Sequence, residues 1–177
     1  MGTSLHAMMK AFQWFILLSF FLPTRTWAQI DSLMTAVEGM REGHEKVDLL
    51  NNLAYYTHQS QPDVSIDYSL RGRKMAQQLV YPAGVGKSYY IHGAALKTLT
   101  RYPTSLAHID SAIQIFIEIA DDTRLAICYG TKGLILNEIQ QNSEAVSWHL
   151  KALTLNQTAN DSLAIAVDYN TLSVCYL

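Results

Sequence analysis

Residues 88–99 read SYYIHGAALKTL, and residues 128–139 read CYGTKGLILNEI. Laid over one another, they align Tyr89 with Tyr129, Gly93 with Gly133 and Leu96 with Leu136; forty residues further on, Tyr169, Ser173 and Tyr176 extend the columns. Ser105 and Ala145, Ala112 and Ala152, and Ile113 and Leu153 keep the same interval. Aromatic, glycine, large apolar and small positions sharing one spacing mark a repeat. Each unit reads as two helices. Tyr89, Gly93 or Ala94, Leu96 and Leu99 fall at helical intervals. Tyr102-Pro103 makes a turn, with proline suited to a helix's first turn. Leu106, Ile109, Ala112, Ile113, Ile115 and Ile117 then form a second apolar helix. A mid-helix glycine costs about 1 kcal/mol against alanine. Gly93 and Gly133 therefore predict close helix approach, with small Ser105, Ala112, Ala145 and Ala152 on the partner helix.

These residues resemble the tetratricopeptide repeat, which sets an aromatic, a leucine-glycine pair and a large residue on helix A, and two alanines seven apart on helix B. Tyr129, Gly133, Leu136, Ala145, His149 and Ala152 fit the third unit, and Tyr89, Gly93, Leu96, Tyr102, Ser105, Ile109 and Ala112 the second. Tyr169, Leu172, Ser173 and Tyr176 open a fourth. In the first unit, Leu53-Ala54 stands for leucine-glycine, Pro62-Asp63 turns the chain, and Ser65 and Gly72 take the alanine places. The count from Ala54 is one residue short there, which predicts a tighter turn. The resemblance implies an all-α, right-handed superhelical solenoid of antiparallel helix pairs. The expected organisation is a signal peptide over 1–28, a capping helix over 29–44 and an array over 45–177. Its units lie at about 45–83, 84–123 and 124–162, with a partial one at 163–177.

The first 28 residues differ from the rest. Lys10 precedes the run AFQWFILLSFFL at 11–22, Pro23 breaks it, and Thr26-Trp27-Ala28 supplies a small-x-small exit. Those are the parts of a secretory signal. Twelve residues are too few to span a bilayer, which takes about 20. Cleavage after Ala28 removes Lys10 and Arg25, leaving 11 basic against 15 acidic residues, a net charge of −4. An exported, mildly acidic chain is a poor candidate for nucleic acid or an anionic membrane. A membrane contact is expected only through the signal segment or a C-terminal helix beyond this chain. Leu177 falls inside the fourth unit's first helix, with Leu172, Val174, Cys175 and Tyr176 on an apolar face. Solenoids need polar caps, so the expectation is a fragment of a longer protein or an imperfect cap.

The composition carries little chemistry. With 49% hydrophobic and 16% charged residues, the chain is neither disordered nor low-complexity. Cys128 and Cys175 read as small apolar residues on helices. The histidines at 6, 44, 58, 92, 108 and 149 have no i, i+4 pair, so no metal site is expected. His92, His108 and His149 read as half-buried fillers. Gly84-Val-Gly-Lys-Ser88 ends like a phosphate loop, but Tyr81 stands at its first glycine and no strand precedes it. It reads instead as an inter-repeat loop opening a helix at Lys87 or Ser88. Asp121-Asp122 reads as a helix cap. No nucleophile elbow occurs. An enzyme would need a histidine or carboxylate cluster in the groove, so neither catalytic residues nor a cofactor are expected.

Binding is the expected activity. The resemblance implies that helix A lines a concave groove, which projects Asn51, Tyr55, His58, Lys87, Tyr90, Ala94, Lys97, Asn137 and Asn170 onto it. Tyr55 and Tyr90 suit stacking on a protein or peptide ligand, and Lys87 and Lys97 suit its carboxylates. Lys87 fits one place of the family's carboxylate clamp, but Ala94 and Leu134 stand where asparagine is wanted. A signal ahead of forty-residue repeats resembles the exported N-terminal part of bacterial sensor histidine kinases and helix-turn-helix regulators. Ile30-Asp-Ser-Leu33 and Lys46–Ala54 look like that group. The expectation is a non-catalytic periplasmic sensory module of a two-component type protein. The alternative is a free periplasmic scaffold for an envelope complex.

Overall fold

A computed structural model describes residues 30 and 32–175. The signal-like segment, Asp31 and Tyr176 lie outside the described residues. The chain divides into two units, 1–40 and 41–177. In the first, residue 30 and residues 32–39 are helical and are labelled α1, which ends at 39. The second holds α2 (His44–Thr57), α3 (Pro62–Gln78), α4 (Pro82–Thr98), α5 (Tyr102–Glu118), α6 (Asp122–Glu138), α7 (Asn142–Thr158) and α8 (Ser162–Cys175). Among the described residues there is no strand. No described helix is long and apolar enough to cross a membrane.

From α3 onward, helices begin at 62, 82, 102, 122, 142 and 162, a half-period of twenty within the forty-residue repeat. Helices α3 to α7 are each 17 residues long. The repeat is thus one helix and one three-residue connection, used over and over. Each connection places its middle residue in the left-handed region: Val80, Thr100, Ala120, Gln140 and Asn160, with φ from 50° to 61°. The amide of that residue bonds back to the carbonyl three earlier, and the next amide to the carbonyl five earlier, as in Thr100 to Lys97 and Arg101 to Leu96 at 2.9 Å each. This is the Schellman arrangement, which satisfies the orphan carbonyls at a helix end. Asp121 begins α6 by accepting from the Arg124 amide at 3.0 Å, and Asp161 begins α8 by accepting from Ala164 at 3.0 Å.

The α2–α3 connection departs from this pattern. It runs from His58 to Gln61, and its closing bond is Gln61 N–H to the Thr57 carbonyl at 2.8 Å. The residue missing from the first unit therefore comes off the end of α2 rather than tightening the turn, which is one residue longer than the others.

Within the second unit, each helix from α2 to α8 packs on the next, and α2 packs on α4, α4 on α6 and α6 on α8. That is a solenoid with one layer of first helices and one of second helices. At the A–B contact, Gly93 lies against Ile109, where a Cβ would come 2.8 Å from Ile109 Cδ1. Ser105 Oγ donates to the Gly93 carbonyl at 2.6 Å, and Ser65 Oγ to that of Ala54 at 2.7 Å. Ala112, Ala145 and Ala152 are buried, as is Leu96, and Leu136 joins Ala145 and Cys175 in one apolar cluster. Tyr89 and Tyr129 pack against the core formed by Ile109, Ile113, Phe116 and Leu125.

Three sequence expectations are corrected. Gly84–Ser88 is not a loop, because α4 is already helical from Pro82. Its glycines are packing sites, since a Cβ would meet the Tyr81 ring at 2.5 Å from Gly84 and the Phe116 ring at 2.9 Å from Gly86. Tyr169 holds the column of Tyr89 and Tyr129 but is 55% exposed, and Ser173 is exposed too. Tyr89 packs near His108 of α5 and Tyr129 near Trp148 of α7. The described residues hold no such following helix beside α8.

Candidate functional site

The first helices of the units line two adjoining cavities. One, of about 330 Å³, lies among Tyr55 and Tyr56 of α2, Lys87 and Tyr90 of α4, and Arg124 and Ile127 of α6. The other, of about 590 Å³, lies among Ile127, Thr131 and Leu134 of α6, His149 of α7, and Leu163 and Asp168 of α8. Tyr55 and Ile127 border both, so the two form one continuous groove.

The α4 end is cationic and aromatic. Lys87 Nζ donates to Asn52 Oδ1 at 2.8 Å. Burial pulls the Lys87 pKa down; Asp48 opposes this and the Arg124 charge adds to it. The Arg124 guanidinium donates to the Asp121 carboxylate at its own helix start. Tyr90 has its hydroxyl pKa pushed up, chiefly by burial, against a hydrogen bond to Thr131. Tyr55 is half-exposed, stacked on His58 at 5.3 Å and edge-on to Tyr56 at 6.0 Å. This end offers two cations and three phenol rings to a ligand.

The α8 end is anionic and polar. Asp168 is 6% exposed and accepts from Asn156 Nδ2 at 2.6 Å. His149 is fully buried, and neither ring nitrogen has a hydrogen-bond partner. Its pKa is lowered by burial, with the Asp168 charge pulling the other way. The ring lies on Gly133, where a Cβ would come within 2.7 Å of it.

The projected groove residues divide. Tyr55, Lys87 and Tyr90 border the groove. Asn51 does not: it is 0% exposed, donating to the Gly84 carbonyl at 3.1 Å and accepting from Ser88 Oγ at 2.7 Å. It ties α2 to α4, because the helix turns this position into the A–A contact. His58 terminates α2, its Nδ1–H donating to the Tyr55 carbonyl. Ala94 is buried in the A-helix packing. Lys97 and Asn137 sit in the last turns of α4 and α6, away from both cavities; Asn137 Nδ2 instead reaches Cys175 Sγ at 3.1 Å. Asn170 is exposed but borders neither cavity.

Sequence reading missed Tyr56, Arg124, Ile127 and Asp168 as lining residues and took His149 for a half-buried filler. The repeat register carried a usable signal for two of them. His149 stands forty residues after Ile109, and Asp168 forty after Cys128.

A second histidine site lies away from the groove. The rings of His92 (α4) and His108 (α5) stack at 4.1 Å with an 11° angle between planes, and Ser69 Oγ lies 3.3 Å from His92 Nδ1. Burial, then the neighbouring His108 and Arg73, push His92 down to about 4. Burial likewise lowers His108, with Arg73 adding to it. Cys128 is inert, its thiol pushed up to about 12 by burial and by Asp121. Among the described residues, no group of three or more His, Cys, Asp or Glu side chains could hold a metal.

No protein-family model matches the sequence, and no curated protein sequence does. Solved structures do match. A Rap protein complexed with competence and sporulation factor superposes with a TM-score of 0.77 at 18% identity, over 90% of this chain and 45% of that one. Aspartyl phosphate phosphatase F from Bacillus subtilis gives 0.73 at 18% identity, over 89% of this chain and 42% of that one. The apo form of RapI gives 0.72 at 17% identity, over 88% and 44%. The chain is a tetratricopeptide-like helical solenoid. It spans less than half the length of these three structures, and at such identities the likeness is one of fold.

Proposed function

We propose that the chain is a non-catalytic module that binds a protein or peptide in the groove formed by α2, α4, α6 and α8. The observation that carries this reading is the groove itself. It is continuous, walled by tyrosines and aliphatic side chains, and lined with charged groups at both ends. Extended ligands suit such a surface, because aromatic walls take apolar side chains and flanking charges set register. The Rap structure solved with competence and sporulation factor supports a partner of this kind. Another neighbour is named a phosphatase. The reading here is of recognition, since Lys87 and Arg124 are already bonded to Asn52 and Asp121 as positioned contact groups.

The signal-like residues 1–28 favour an exported module, serving as the periplasmic sensory part of a longer signalling protein. Export predicts a secreted form whose first residue is Gln29, read by mass spectrometry; a retained Met1 overturns it.

The binding test is selection of a random heptapeptide display library on the full chain. Enriched sequences should bind wild type and lose about tenfold or more against Tyr55→Ala with Lys87→Met. Sequences that bind both forms equally would place the partner elsewhere.

A further inference from the structure

Two buried positions change their chemistry from one repeat to the next, one between the second and third units and one between the third and fourth. Ile109 fills the space under Gly93, and His149 fills the equivalent space under Gly133. Cys128 is a buried thiol in α6, and its counterpart in α8 is the buried carboxylate Asp168. The earlier polar occupants of these columns, Ser69 and Ser88, are hydrogen-bonded within the fold, whereas His149 has no partner. His149 and Asp168 both border the larger cavity, with Asp161 at its rim. A buried imidazole with two unpartnered nitrogens calls for an explanation, as does a carboxylate at 6% exposure whose partner is a neutral amide. A cation is the group that would satisfy both. It offsets the carboxylate charge and donates to the acceptor nitrogen of the neutral ring. Leu163 and Val167 flank the same cavity as apolar wall.

We propose that the α6–α8 end of the groove is a subsite for a primary ammonium group on an apolar stem, held by Asp168 and hydrogen-bonded to His149. A peptide's amino terminus and a lysine side chain share this chemistry. The inference rests on the groove being a binding surface and adds a direction to it. A ligand's amine lies toward α8, and its carboxylates lie toward Lys87 and Arg124.

The test uses the full chain and two bare probes of equal shape, n-butylammonium and n-butanol, followed by ¹⁵N shifts of the His149 ring and the ¹³C shift of the Asp168 carboxylate. The expected result is saturable n-butylammonium binding, on the order of millimolar for so small a ligand, with n-butanol weaker by about tenfold or more. Asp168→Asn keeps the side-chain shape and should abolish that preference. If this variant does not fold, the wild-type comparison of the two probes decides. Equal binding of n-butanol, or no saturation with either probe, overturns the subsite. Neither outcome touches peptide selection by Tyr55 and Lys87, so the groove reading fails or stands separately. Leucinamide and Nα-acetyl-lysinamide then separate the two amine sources, the tighter one identifying which the site takes.

Discussion

Ile109 and His149 occupy the same place in successive repeats, each pressed against a glycine of the facing helix. The backbone around them is shared: helices of equal length, connections of equal length, left-handed residues at equal intervals. The side chains are not. In the second repeat the site is filled by hydrocarbon, and the unit is a plain packing element. In the third it is filled by an imidazole without a partner, near a buried carboxylate on the next helix. A repeat fixes geometry and leaves chemistry free. A buried polar residue without a partner, in a column that holds Ile109 and the hydrogen-bonded Ser69, therefore points toward function more strongly than the same residue would in a chain without a built-in reference.

Exchanging the two residues gives the largest expected effect. Ile109→His places an unsatisfied ring under Gly93 and removes a buried aliphatic side chain, so a loss of about 3 kcal/mol is expected by urea titration. His149→Ile should gain about 1 kcal/mol, because the desolvation penalty of the unpartnered ring disappears. A loss on His149→Ile would mean that the ring has a partner in solution, and the contrast between the repeats would collapse.

Acid should also separate neutral from protonated rings. The unfolded chain's histidines titrate near 6.5, whereas burial lowers His92 to about 4 and also lowers His108 and His149. Between those values the unfolded state binds more protons, so this stability is complete above about pH 6.5 and is lost as pH falls toward 4. A fall in Tm of about 5 °C or more between pH 7.5 and 4.5 is expected. His92→Phe keeps a ring against His108 and should make the fall smaller; an unchanged fall would remove the stacked pair as its source.

What was legible in the sequence follows from the same contrast. The fold was readable because Tyr89, Gly93 and Leu96 and their counterparts answer to backbone approach, which tolerates few residue types. The groove was readable only in part. Tyr55, Lys87 and Tyr90 project onto it by helical phase once the resemblance makes the first helices its wall. Asn51 follows the same phase but is turned inward, where the chain needed a polar tie from α2 to Gly84 and Ser88. Arg124 was hidden because it sits in a helix's first turn, and Asp168 because its burial depends on Asn156 of another helix. Gly84 and Gly86 misled in the other direction. Glycines beside lysine and serine read as a loop until Val47, Tyr81 and Phe116 are seen pressing on the helix.

The glycines of α6 sharpen the comparison within one helix. Gly133 has the His149 ring where a Cβ would go, while Gly130 has nothing within 4 Å. Gly133→Ala should cost about 1 kcal/mol through overpacking, despite alanine's better helix propensity. Gly130→Ala has only the propensity to gain and should stabilise by about 0.5–1 kcal/mol. Equal signs for the two would show that the ring moves aside freely.

The smallest effects belong to the connections, which are alike in backbone and unlike in residue. Val80 and Asn160 hold the same left-handed conformation, at φ 50° and 55°. A β-branched side chain is strained there, at a cost of about 1–2 kcal/mol, whereas asparagine visits the region readily. Val80 is 83% exposed, so its removal sacrifices little packing. Glycine relieves the strain but releases entropy to the unfolded chain. The balance for Val80→Gly is a gain of about 0.5–1 kcal/mol, and for Asn160→Gly it is about zero. Urea midpoints at unchanged m-value would read both. Equal midpoints would mean that the Schellman bonds, Val80 to Gln77 and Tyr81 to Ala76, hold the turn so firmly that the residue in its middle no longer matters.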